Sequence, residues 1–335
     1  MVRVLAINAL LLAILLVLTE ATLTWLVARG EPTGIGALDR LARKLYWANV
    51  SYVQYEPDCA KHDQELGYTL RPGKCNFSNL GFSSELFVNS AGLRDDETSL
   101  EAPEIIVLGD SHAMGWGVNE GLSFADLIEL ETGKKTLNAG VSSYGTAREL
   151  QMLSRLDKSN TSTVVLQYSD NDAWENRTFL ASGTLNAMSK DHYEALVASN
   201  ATARNGFGRY LFTLMNEIVA RFGPVDQADA EMMPLQEMND PDVLIGILSQ
   251  WDWGSTPPQL ILFEINTGGR GGNFMKVLSE SPQLDKLGSK ELDLTLLNIS
   301  SILDPEDYLF PDGHLTPEGH RKVAAAVVNA LSPEN

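Results

Sequence analysis

From residue 103 onward, short apolar runs alternate with stretches of helical spacing, and no other feature of this 335-residue chain narrows its fold as far. EIIVLG (104–109) is bounded by Pro103 and Gly109, and KKTLNAG (134–140), TVVLQYS (163–169), PQLILFEIN (258–266) and LDLTLLNIS (292–300) follow it. Between them GLSFADLIELET (121–132) and TARELQMLSRL (146–156) place apolar residues at helical intervals. PEGHRKVAAAVVNAL (317–331) closes the series with proline in its first turn. Apolar strand-length runs separated by helices predict an α/β fold, a parallel sheet buried on both faces.

In such sheets, sites form at the carboxyl ends of the strands. The first strand ends in Gly109, Asp110, Ser111 and His112, the second in Asn138, Ala139 and Gly140, and the third in Ser169, Asp170, Asn171 and Asp172. The last strand region leads into YLFPDGHLTPEGH (308–320), with Asp312 and His314 just before the closing helix. Each set is ordinary turn or cap chemistry alone. Together on one rim they supply what acyl transfer needs. Ser111 is a hydroxyl nucleophile, His314 a base to take its proton, and Asp312 a carboxylate to orient the imidazole. The Ser111 amide, the Gly140 amide and the Asn171 side chain are candidate oxyanion donors. Asp110 is expected to support the turn, and His320 to sit within the closing helix, either packed or facing solvent.

These residues carry a family resemblance. GDSH (109–112), Gly140 in LNAG, Asn171 in SDND and DGH (312–314) resemble the four blocks of the SGNH, or GDSL, hydrolase superfamily. GDSHAMGWGVNEGLSFADLI with LNAGVSSYGTARELQML is similar to a bacterial subgroup of it, as are the lead-in stretches DQELGYTLRPG (63–73) and VNSAGLRD (88–95). The resemblance implies a three-layer α/β/α sandwich with a flavodoxin-like parallel sheet. It also implies Ser111 as nucleophile, His314 as base, Asp312 as its orienter, and Gly140 with Asn171 as oxyanion hole, with no cofactor. Many members place the aspartate three residues before the histidine, where this chain has Pro311. The Asp-x-His spacing occurs in branches that move acetyl groups on polysaccharides.

The N-terminus departs from globular composition. Residues 4–28 are almost wholly apolar apart from Asn8, Thr19, Glu20, Thr22 and Thr24, with Arg3 before them and Trp25 near their end. The segment predicts an N-terminal hydrophobic helix, either an uncleaved transmembrane anchor or a secretory signal. Glu20 opposes a full span, because a carboxylate at mid-membrane is costly. Cys59 and Cys75 are the two cysteines of the chain, and a disulfide between them requires an oxidising compartment. Both features point outside the cytoplasm, to a periplasmic or extracellular domain, membrane-anchored or secreted. The division expected is 1–30 anchor or signal, 31–102 linker and small β-rich lead-in, and 103–333 the main domain. An insertion at 174–257 reads as mostly helical, notably 208–222, with an acidic loop at 229–242, and is either peripheral or a lid.

A formal charge of −19 disfavours nucleic acid as a partner. The five histidines form no metal-ligand spacing. GGRGG (268–272) matches no phosphate-binding motif, although Arg270 could meet an anionic substrate group. The function expected is a serine esterase, and the resemblance alone implies its substrate class, O-acyl and in the first place O-acetyl esters of a carbohydrate or envelope polymer. Its partners would be a small-molecule or glycan ester and, through the N-terminal helix, a membrane. Two alternatives stay open: a polysaccharide O-acyltransferase with the same triad, and a non-catalytic envelope binding protein.

Overall fold

A computed structural model of the chain describes residues 2–204, 208–220, 240–270, 273–288, 290 and 292–331. The chain opens with helices α1 (Val2–Ala28) and α2 (Gly36–Trp47). Two antiparallel hairpins follow, β1 (Ala60–Asp63) with β2 (Gly67–Leu70), and β3 (Gly73–Asn79) with β4 (Phe82–Val88). Then come β5 (Ile105–Leu108), α3 (Ser111–Met114), α4 (Phe124–Thr132), β6 (Thr136–Asn138), α5 (Thr146–Leu153) and β7 (Thr163–Tyr168). The helices α6 (Asp172–Ser182), α7 (Lys190–Arg204), α8 (Arg209–Ala220) and α9 (Asp240–Gln250) fill the expected insertion. The chain ends with β8 (Gln259–Glu264), α10 (Phe274–Ser279), α11 (Asp285–Gly288), β9 (Leu294–Leu297) and α12 (Pro317–Leu331).

Strands β5 to β9 form one parallel sheet in the order β6-β5-β7-β8-β9, which is the flavodoxin-like order 2-1-3-4-5. The period-2 geometry of a strand explains why the sheet is apolar on both faces. On β5, Ile105 and Val107 face one layer, with Phe124 and Ile128 of α4 and Val323 and Val327 of α12. Ile106 and Leu108 face the other, with Leu150 of α5 and Leu244 and Leu248 of α9. The architecture is thus the expected α/β/α sandwich. Helix α4 starts where Ser123 and Asp126 exchange side-chain-to-backbone hydrogen bonds, a capping box.

Part of the insertion belongs to that core. Helix α9 buries Val243, Leu244, Ile247 and Leu248 among the sheet's own apolar residues, with Phe179 and Leu180 of α6 packed beside them. Most of the acidic loop expected at 229–242 lies outside the described residues; Asp240 and Asp242 open α9.

Helix α1 divides in two. Residues 2–18 are exposed, a length of about 26 Å at the helical rise. Beyond them Glu20, Leu23, Leu26 and Val27 are buried against the protein. Glu20 is held by protein rather than left bare: its carboxylate accepts the N–H groups of Tyr210 (3.3 Å) and Leu211 (2.8 Å), in the first turn of α8. Those amides lack intrahelical partners, and a carboxylate complements the helix dipole there. Leu23 and Val27 share a second apolar cluster with Leu45 and Tyr46 of α2, Phe77 and Leu86 of the second hairpin, and Trp116. Cys59 and Cys75 form a disulfide inside this cluster, with Cα atoms 5.2 Å apart.

Candidate active site

The carboxyl end of β5 runs into a tight turn at Gly109 and Asp110, and α3 begins at Ser111. Asp110 is the N-cap of α3, accepting the His112 N–H at 3.0 Å. The turn is held from beneath by Gln167 of β7, fully buried, whose side-chain oxygen accepts the N–H groups of Asp110 and Ala113, each at 3.2 Å. Arg94, from the lead-in stretch VNSAGLRD, donates to the carbonyls of Met114 (3.1 Å) and Val118 (2.9 Å) and so closes the far end of α3. Ser111 is therefore fixed by groups from β5, β7 and the lead-in together.

His314 reaches the same point from the other end of the chain. Ser111 Oγ and His314 Nε2 are 2.7 Å apart, and His314 Nδ1 lies 2.5 Å from Asp312 Oδ1. The same Asp312 oxygen accepts the His314 backbone N–H at 3.0 Å. Two contacts to one carboxylate oxygen within two residues need a sharp reversal between them. Gly313 supplies it, with φ of +92° and a backbone packed so closely on Gly268 that a Cβ would lie 2.9 Å from Gly268 N. That turn is the physical reason the Asp-x-His spacing works here.

Asp312 Oδ2 accepts the indole N–H of Trp116 at 3.0 Å and the hydroxyl of Tyr46. Burial works against its charge, but the His314 ring, the hydrogen bonds from His314 and that from Tyr46 outweigh it and hold the carboxyl below the usual carboxylate range. It is accordingly a carboxylate at neutral pH. Trp116 also stacks on the His314 ring, with centroids 4.9 Å apart and planes at 20°. On Asp110, burial wins and pushes the carboxyl up, against the His112 N–H and the His314 ring. His112 is buried, its ring 4.7 Å from that of His314 with neither nitrogen hydrogen-bonded, and burial drives its basicity well down. His320 lies within α12 and is packed rather than solvent-facing; its Nδ1 accepts the Phe124 N–H (3.1 Å), and burial lowers its pKa to about 3.

A cavity of about 410 Å³ opens over Ser111 and His314. Asp110, Asn171, Ser142, Ser143, Trp47 and Arg270 are among the residues that line it. Asn171 lies where the sequence reading puts it. Gly140 does not. Its N–H donates to Asn138 Oδ1 at 3.0 Å, and Gly140 is not part of the cavity wall. A Cβ there would lie 2.4 Å from Met114 N and 2.7 Å from Ala113 C, so the glycine serves the close passage of the loop over α3. Three residues on, Ser143 is placed differently. It has φ of +60°, unusual for serine. It lines the cavity, and its backbone N–H makes no hydrogen bond among the described residues. The Tyr68 hydroxyl pins this loop by donating to the Ser142 carbonyl at 2.8 Å.

Sequence reasoning missed Ser143, Tyr46, Trp47 and Trp116. Trp116 stands inside the quoted GDSHAMGWG stretch, and the apolar face of α2 was the one signal for Tyr46 and Trp47. Among the described residues no group of three or more His, Cys, Asp or Glu is arranged to hold a metal ion. What remains is a hydroxyl bonded to an imidazole whose other nitrogen meets a carboxylate, an arrangement that can remove the hydroxyl proton as the oxygen attacks.

No family model and no curated protein matches the sequence. Solved structures are similar to it. An acetyl xylan esterase, Est2A, from the rumen bacterium Butyrivibrio proteoclasticus is 11% identical, with 69% of this chain and 64% of that one covered at a TM-score of 0.39. A family 3 carbohydrate esterase of Clostridium thermocellum is 14% identical over 68% of this chain and 98% of that one, with a TM-score of 0.34. A protein of the G-D-S-L family from Desulfitobacterium hafniense DCB-2 is 12% identical over 67% and 98%, also at 0.34. A parallel sheet in the order 2-1-3-4-5, with GDSH, the Asn171 loop and the DGH turn meeting at the carboxyl ends of its strands, is the arrangement that the resemblance of these motifs to the SGNH hydrolase superfamily implies.

Proposed function

We propose that the chain is a serine esterase of the SGNH type, acting on O-acyl, chiefly O-acetyl, esters of a carbohydrate or envelope polymer. The observation that carries the reading is the pair of short contacts from Ser111 through His314 to Asp312 at the floor of an open cavity. Ser111 Oγ attacks the ester carbonyl carbon while His314 Nε2 takes its proton. The tetrahedral oxyanion forms beside the Ser111 amide, the Asn171 side chain and the Ser143 amide. Loss of one such donor typically costs about 3 kcal/mol of transition-state stabilisation. His314 then returns the proton to the departing alcohol, leaving the acyl group on Ser111. Water, deprotonated by the same imidazole, attacks the acyl-enzyme and releases the acid. Asp312 stays ionised throughout and holds the imidazole with Nδ1–H toward itself.

The exposed apolar part of α1 is read as a membrane anchor with the catalytic part outside the cytoplasm. The span of residues 2–18 falls just short of a hydrocarbon core of roughly 30 Å, and Glu20 lies on the protein side of it. The disulfide supports an oxidising compartment.

The test is hydrolysis of p-nitrophenyl acetate by the full-length chain in detergent, against Ser111→Ala, with and without an acetylated glycan. The reading expects turnover that the variant loses and acetate as the product. Turnover equal in the variant, or no release from either substrate, overturns it.

A further inference from the structure

Tyr46 reaches the catalytic carboxylate from outside the sandwich. It is the penultimate residue of α2, is 2% exposed, and donates its hydroxyl to Asp312 Oδ2, the oxygen that also accepts the Trp116 indole N–H. The next residue, Trp47, walls the cavity and lies 6.1 Å from the His314 ring, centroid to centroid. Burial and the neighbouring Asp312 charge push the Tyr46 phenol far above its ordinary pKa, so it remains a donor wherever the enzyme works. The sheet does not position this helix. Leu45 and Tyr46 pack with Leu23 and Val27 of α1, and Ala42 with Leu26 of α1 and Phe310 of the loop that carries Asp312. Lys44 pairs with Glu217 of α8, and Asn49 donates to Thr213 of α8 at 3.1 Å. Helix α8 is in turn capped by Glu20 of α1.

We propose that Tyr46 is a positioning residue for the Asp312–His314 pair, so that the helix following the apolar segment completes the active site and couples its competence to the seating of α1 and α8. A carboxylate held by one oxygen can still turn about its side-chain bond. Two donors on Oδ2 fix its plane and leave Oδ1 directed at His314 Nδ1. Without the phenol, less of the carboxylate's charge is drawn off, so the imidazolium is better stabilised and His314 gives up its proton at higher pH. The other titratable and charged groups near these three residues are Asp110, His112, His320, Tyr52 and Tyr210, with Asp170 and Arg270 on the cavity wall, and none of them is altered by the substitution below.

The proposal rests on the esterase reading for its kinetic readout alone. The test is Tyr46→Phe in the full-length chain. kcat is expected to fall roughly tenfold with KM nearly unchanged, as for loss of one hydrogen bond to a charged group. The acid limb of kcat/KM moves to higher pH. The His314 imidazole, followed by NMR in protein labelled with ¹⁵N-histidine, titrates at correspondingly higher pH. A second measurement uses the wild type: a slowly exchanging Tyr46 hydroxyl proton with an Overhauser contact to the Trp116 indole N–H. A folded variant with wild-type kcat, a lowered kcat with an unmoved His314 titration, or absence of the protected hydroxyl proton overturns the proposal. If the wild type hydrolyses nothing while the NMR results hold, the esterase reading falls and the positioning role stands.

Discussion

Asp312→Asn isolates what the carboxylate contributes, because every group around it is a donor. Oδ1 accepts the backbone N–H of His314 and faces its Nδ1; Oδ2 accepts from Trp116 Nε1 and from the Tyr46 hydroxyl. A carboxamide has one oxygen and one NH₂. With its oxygen toward His314, the NH₂ meets the Trp116 N–H, which cannot accept. With its oxygen toward Trp116, the NH₂ meets the His314 backbone N–H and drives the ring to the tautomer with its proton on Nε2. That proton then points at Ser111 Oγ, and the base is lost. Either way one buried donor is orphaned, at about 1–3 kcal/mol of stability. Loss of the correct tautomer and of the counter-charge should lower kcat by roughly 10³–10⁴, or about 4–5.4 kcal/mol of activation free energy. The assay is kcat and KM on p-nitrophenyl acetate alongside thermal melting. A folded variant within tenfold of wild-type kcat refutes the assignment of Asp312 as orienter.

Gly140→Ala separates the packing reading of that glycine from a donor role. Its Cβ would lie well inside contact distance of Met114 N and Ala113 C. Melting temperature should therefore drop by the equivalent of about 1–3 kcal/mol, with activity lost in step. An unchanged melting curve with activity abolished would instead favour the amide as an oxyanion donor. Reduction of Cys59–Cys75 opens a link of sequence separation 16 and should lower stability by about 3 kcal/mol in the chain-entropy model. Melts with and without reductant check this, and coincident curves contradict a structural bridge.

The strands were legible because each is an apolar run stopped by turn residues, and the same pattern lets period-2 alternation bury both faces. Ser111, Asn171, Asp312 and His314 were legible because a parallel sheet brings the ends of its strands to one rim. Gly140 stands apart from the cavity wall for a physical reason. A glycine after a strand may serve an amide or a close approach, and packing against α3, distant in sequence, decides between them. Ser143 escaped because local rules place glycine, asparagine or aspartate at φ of +60°, whereas here the pinned loop imposes it on serine. Tyr46 lies 266 positions from the carboxylate it touches, and nothing in an amphipathic helix after an apolar segment announces such a partner.

The central claim is that Ser111 is a nucleophile made reactive by His314. Its most direct measurement is peptide mapping by tandem mass spectrometry after exposure of the full-length protein to a fluorophosphonate. A single adduct on Ser111 is expected in the wild type, lost when His314→Ala is treated in the same way. An adduct on another serine, or labelling of Ser111 that persists undiminished without the imidazole, contradicts it.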